Sequence, residues 1–265
     1  MGWHVKHEES TGLTEILNPG NSDAQGREFA LLRLAAGASI DTAADGRESL
    51  VTILGGRASI AVEGGESWQG LGDRDNVFSG LPTSVYVPTG ARVRVQADGA
   101  FEAAIWRARA ASGGQAYVIR PSAVAVAVRG EGPFRRRVHT ILDASRSAQH
   151  LIVGETFNEP GAWSSYPPHK HERHDPPREG RFEEIYHFRL DPHQGFGIQR
   201  IYSPERQLDE LYTVEDGDTV LIPFGYHPVV AAPGYRLCYL WALSGEGRTL
   251  MAKEDPQHSW TTRPR

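Results

Sequence analysis

Gly217-Asp218-Thr219-Val220-Leu221-Ile222-Pro223-Phe224-Gly225-Tyr226-His227 is the stretch that decides the fold. It runs from Gly-Asp through residues of strand character into a Pro-x-Gly turn, where Pro presets φ and Gly takes a positive φ. A turn of that kind at the mouth of a β-barrel aims the next side chain, His227, inward. The first half of the chain holds a counterpart: Gly72-Asp73, then Val85-Tyr86-Val87-Pro88-Thr89-Gly90-Ala91, with Arg92 and no histidine after the turn. The spacing within the two units differs, and the outline is shared. Two related barrels, with a metal in the second alone, is the reading.

The flanking sequence agrees. Residues 28–34, 49–54, 58–62, 85–87, 91–95 and 101–106 read as strands, and Gly55-Gly56 between the second and third suggests a hairpin. A period of 3.6 residues is faint and confined to 123–127 and 144–150. The class is therefore all-β. Pattern breaks at Ala111-Ser112-Gly113-Gly114 and Gly130-Glu131-Gly132-Pro133 put a boundary between Arg107 and Phe134. The expected domains are 1–120, a barrel without metal, and 121–265, the metal-binding barrel, with exchange of terminal strands allowed. Arg135-Arg136-Arg137 reads as a solvated run between them, with no substrate role.

Composition narrows the function classes. The net charge of −5 gives no basic field for nucleic acid or anionic membrane. The polar string from Met1 to Glu9 is no signal peptide, and no apolar run approaches a membrane span. A cytoplasmic protein is expected, and exposed edge strands suggest a homo-oligomer. The single cysteine, Cys238, stands in the apolar run 237–241 and reads as core.

The chemistry concentrates in the second half. His169 and His171 are two apart, so on a strand they share a face, with Lys170 turned away. Glu184 shares a face with Tyr186 and Phe188; Glu183 shares one with Ile185, His187 and Arg189. Parity favours Glu184 as the carboxylate ligand, with Glu183 as the fallback. With His227, three imidazoles and one carboxylate would hold one divalent ion and leave positions open for substrate. Zinc and manganese suit the set, and iron is a third candidate.

These motifs resemble the two cupin motifs, and the resemblance implies a duplicated double-stranded β-helix. The loop from Glu172 to Gly180 is longer than in most cupins, and one residue rather than two separates Gly225 from His227. One narrower family is similar in those same respects. Residues 163–171, 183–186, 195–202 and 225–235 resemble the 5-deoxyglucuronate isomerases of myo-inositol catabolism. The first half matches less, chiefly at Ser79-Gly80-Leu81 and Tyr86-Val87-Pro88. The resemblance implies conversion of 5-deoxy-D-glucuronate to 5-dehydro-2-deoxy-D-gluconate.

An aldose–ketose isomerisation passes through an enediol, which a divalent metal would stabilise, and a general base must reach a carbon-bound proton. Candidates for acid or base are Glu183, His174 and Tyr186, with Tyr202 a further possibility. For the uronate carboxylate the candidates are Arg200, with Tyr202 on the same face of its strand, and Lys170. Asp255-Pro256-Gln257-His258-Ser259-Trp260 is expected to pack. Two other readings stand beside it: an iron(II) cupin dioxygenase, which the ligand set also fits but the sequence strings oppose, and a non-enzymatic sugar-binding cupin, against which an intact ligand set argues.

Overall fold

The computed structural model describes residues 2–8, 10–20, 27–43, 45–111 and 113–262. Met1, Glu9 and Ser112, named above, lie outside them. The described residues form β-strands and short 3-10 turns, with no α-helix among them. The two stretches of faint helical period become the exposed strand Ala125–Arg129 and a turn-rich segment. No helix is long and apolar enough to cross a membrane.

The chain forms two compact units, and neither is one continuous stretch. One comprises His7–Ala125 and Thr140–Ile152; the other comprises Met1–Lys6, Val126–His139 and Val153–Arg265.

The first unit has two antiparallel sheets. One runs Tyr117–Ile119, Ser84–Val87, Arg47–Gly55, Phe101–Arg109, Arg27–Leu34, Gly12–Leu17; the other runs Ser39–Ala43, Arg92–Ala97, Ala58–Val62, Ser67–Leu71. Between them lies an apolar core of Leu32, Val51, Ile53, Ile60, Val85, Val93, Val95 and Ile105, among others. Each such side chain contributes roughly 1.5–3 kcal/mol on burial.

The expected hairpin across Gly55-Gly56 does not form. Arg47–Gly55 pairs with Phe101–Arg109 and Ser84–Val87, whereas Ala58–Val62 pairs with Arg92–Ala97 and Ser67–Leu71. The two glycines instead carry the chain from one sheet to the other. A Cβ at Gly56, whose φ is +82°, would lie 2.1 Å from the Ala100 carbonyl oxygen, so only glycine fits the corner.

The second unit repeats the scheme around a different interior. Its larger sheet is ordered His4–Val5, Thr219–Ile222, Glu179–Asp191, Arg236–Gly245, Ile152–Asn158, Arg136–Leu142, Ala125–Arg129. Facing strands are Trp163–Ser164, Val229–Ala231, Phe196–Ser203 and Leu208–Glu215. Cys238 is fully buried, as its apolar run requires. The long strand Glu179–Asp191 puts Glu184 opposite Ile222 on one side and Leu243 on the other.

The opening stretch folds as its residues demand. Gly217 turns at φ +85°, and the Asp218 carboxylate accepts from the Glu215 backbone N–H at 2.9 Å. Gly225 turns at φ +89° against the Tyr202 carbonyl, and Tyr202 and Tyr226 exchange backbone hydrogen bonds of 2.9 Å. In the first unit Gly90 turns likewise at φ +82°.

Candidate metal centre

Three of the expected ligands converge. One ligand atom from each of His171, Glu184 and His227 lies within 4.8 Å of the others, and all three residues are buried. His171 follows the short strand His169–Lys170, Glu184 comes from the long strand, and His227 follows the Pro-x-Gly turn.

Hydrogen bonds fix the tautomers. His171 Nδ1 lies 3.0 Å from the Phe182 carbonyl oxygen, and His227 Nδ1 lies 2.9 Å from that of Gly225. A carbonyl only accepts, so each Nδ1 carries the proton and donates. Each Nε2 is then left aimed at Glu184: His171 Nε2 is 3.1 Å and His227 Nε2 3.3 Å from the same carboxylate oxygen, Oε2. His227 Nε2 is buried with no hydrogen-bond partner. Acceptors facing one another away from water are costly unless a cation lies among them. Backbone carbonyls holding the far nitrogens of two imidazoles are the usual support of metal-binding histidines.

The protonation pattern agrees. At Glu184 burial works to raise the pKa, but the adjoining His171 and His227 rings outweigh it and hold the carboxyl near 2. At His171 burial works downward, and the bond to Glu184 outweighs it, so its pKa is raised. Without a metal, a proton on His171 is the cation that Glu184 keeps.

His169 stands beside these three. Its ring centroid is 4.9 Å from that of His227 and 6.3 Å from that of His171, and its strand pairs with Lys253–Glu254. Burial, then the neighbouring His227 and His171 rings, lower its pKa to about 3. It is therefore a neutral imidazole at pH 7, the form that can donate a lone pair.

Tyr186 is the one expected acid–base candidate brought to the cluster. Its ring lies 6.0 Å from that of His227, and its hydroxyl is 2.9 Å from Ser165 Oγ. Burial, then the charge of Glu184, push its pKa well above the ordinary value, so the phenol keeps its proton. Tyr239, 4.3 Å from Tyr186 between ring centroids, bonds through its hydroxyl to Ser164. Tyr239 was concealed in the apolar run 237–241. Alternation could have shown it, since it pairs across the strands with Phe188.

Other expected residues stand elsewhere. Glu183 lies on the opposite face of its strand from Glu184, against Ser244. His174 is exposed and pairs with Glu246 at 3.0 Å. Arg200 forks onto Asp209 at 2.7 and 2.8 Å on the outside of its strand. The inward face there carries Gly197, Gln199, Ile201 and Ser203, all buried, while Phe196 and Ile198 are exposed beside Arg200. The Tyr202 hydroxyl donates to Asp255 at 2.6 Å. Lys170 is buried, but its ammonium is taken by Glu172 at 2.7 Å and Glu205 at 3.1 Å. None of the three substrate-binding candidates faces the cluster with a free polar group.

Known proteins share this chain's sequence and shape. A model of the KduI/IolB family matches residues 3–261. A Geobacillus thermodenitrificans protein named 5-deoxy-glucuronate isomerase is 41% identical over 88% of this chain and 85% of its own. One of the same name from Bacillus subtilis strain 168 is 34% identical over 96% and 95%. The crystal structure of an IolB-like protein from Salmonella typhimurium LT2 superposes with a TM-score of 0.94 at 32% identity, covering 98% of this chain and 99% of that one. A Bacillus subtilis oxalate decarboxylase superposes at 0.61 with 13% identity, covering 92% and 76%, a likeness of fold alone.

Proposed function

We propose the reaction from the premise that this chain belongs to the KduI/IolB family: it is an isomerase that converts 5-deoxy-D-glucuronate to 5-dehydro-2-deoxy-D-gluconate, as in myo-inositol catabolism. The observation that carries the chemistry is the convergence of two imidazole Nε2 atoms on one Glu184 oxygen in a buried pocket. His171, Glu184 and His227, with His169 as the fourth, would hold one divalent ion, zinc or manganese before iron. When bound, that ion supplies the positive charge that polarises the substrate carbonyl and offsets charge developing on its oxygens.

The chain supplies the rest. The four ligands are buried or half-buried, so the reacting carbons are shielded from water. Tyr186, a neutral phenol oriented by Ser165, can give a proton to a substrate oxygen and take one back. Glu183 and His174 have no part in this account, because of where their side chains lie.

The test is direct. Protein with analysed metal content is incubated anaerobically with 5-deoxyglucuronate, and the ketone product is followed by NMR. Turnover without oxygen is expected. No product from a metallated sample would overturn the isomerase reading, and a strict need for oxygen would favour the dioxygenase.

A further inference from the structure

The charge of the pocket is unbalanced. Glu184 is the one carboxylate of the converging group, so a divalent ion leaves it positive. A second cation stands at its edge. Arg136 opens the strand Arg136–Leu142. Alternation assigns Arg137 and His139 to one face, where both lie on the Phe157 ring at 5.1 Å and 4.7 Å from its centroid. Arg136 is on the other face. Phe134, whose carbonyl holds the guanidinium, stacks on Tyr166, the neighbour of the Ser165 that bonds the Tyr186 hydroxyl, and the Arg136 charge is felt at His169 and Tyr239.

Arg136 is held in place without a carboxylate. Among the described residues it enters no ion pair, and its one hydrogen bond runs from Nη1 to the Phe134 carbonyl at 3.1 Å. Phe134 in turn stacks on Tyr166 at 5.0 Å with planes 2° apart. Gly130 lies against the guanidinium: a Cβ there would be 2.9 Å from Nη1. A guanidinium has five N–H donors in a rigid fork, and here one is used. Arg200, by contrast, already has its carboxylate in Asp209. A half-buried, positioned and unpaired guanidinium beside a cationic pocket is costly until an anion arrives.

We propose that Arg136 receives the carboxylate of the substrate, forking onto it while the carbonyl end faces His171, Glu184 and His227. This rests on the isomerase reading above, and it names the residue that makes a uronate, rather than a neutral sugar, the substrate.

The experiment compares wild type, Arg136→Gln and Arg136→Lys, each with metal content measured. The kinetics of 5-deoxy-D-glucuronate are set against those of 5-deoxy-D-glucose, which has a hydroxymethyl group in place of the carboxylate. In Arg136→Gln the KM for the uronate should rise roughly ten- to hundredfold, the loss of a charged hydrogen-bonded pair, with a smaller change in kcat. Arg136→Lys should recover part of it, and the kinetics of the neutral sugar should stay as in wild type. A uronate KM within about twofold of wild type in both variants, or equal losses for both sugars, would overturn the assignment. Wild type that fails to turn over the uronate defeats the isomerase reading; active wild type with an indifferent Arg136 defeats only this inference.

Discussion

At the scale of the residue, the pocket makes claims that single substitutions check. His171→Ala and His227→Ala should each lose metal and activity together, read by elemental analysis beside the rate. Tyr186→Phe should keep its metal and lose roughly 10²–10⁴ in kcat, the usual worth of a positioned proton donor. Arg200→Ala should leave KM unchanged, because its guanidinium is spent on Asp209 at the surface. The pH dependence follows from His169 and Glu184. Both have lowered pKa values in the folded chain, about 3 from 6.5 and about 2 from 4.5. The unfolded chain therefore binds more protons than the folded one in those windows. Metal-free protein should lose stability as pH falls from 6.5 towards 3 through His169, and from 4.5 towards 2 through Glu184. Thermal melts across pH read this out, and a His169→Gln variant should flatten the upper part.

At the scale of the element, the turn that aims His227 is pinned from outside. Glu172 Oε2 accepts from the Gly225 N–H at 3.1 Å, and Glu172 Oε1 holds Lys170, the residue between the two paired histidines. One buried carboxylate thus links two ligand-bearing segments. Lys170→Ala leaves Glu172 buried without its ammonium, at a cost of about 3–5 kcal/mol, and a Tm fall on the order of 10 °C is expected by calorimetry. Strand alternation made Glu184 legible as the inward carboxylate, with Tyr186 beside it. The same rule failed at Arg200, because parity says which side chains share a face and not which face is inside. Arg200 shares its face with Phe196 and Ile198, which are exposed; the buried face is instead Gly197, Gln199 and Ile201. The hairpin across Gly55-Gly56 failed for a related reason. Partners of a strand are set by residues far away in sequence, and a glycine pair marks a corner as readily as a hairpin turn. Arg136 was hidden by its neighbours, since three successive arginines look like a solvated run although adjacent ones face opposite ways.

At the scale of the molecule, the two units differ in what fills them. The first is packed with aliphatic side chains, and among the described residues no group able to hold a metal is found there. Its integrity depends on a remote segment. Glu48, fully buried, accepts the backbone N–H groups of Gln149, His150 and Leu151 at 2.6–2.8 Å, together with the Tyr86 hydroxyl. A fragment of residues 1–125 would leave that carboxylate buried with three donors missing. It should show neither a cooperative melt nor dispersed amide signals in an NMR spectrum. The second unit borrows in the other direction: His4 and Val5 pair with Val220 and Thr219, and the His4 ring bonds Asp218 at 2.8 Å. That pairing sets a schedule for biosynthesis. A ribosome adding about 5–20 residues per second needs on the order of 10–40 s to travel from residue 5 to residue 219. For that interval the earliest strand waits for its neighbour, so the barrel that carries His171, Glu184 and His227 closes only after nearly the whole chain has been translated.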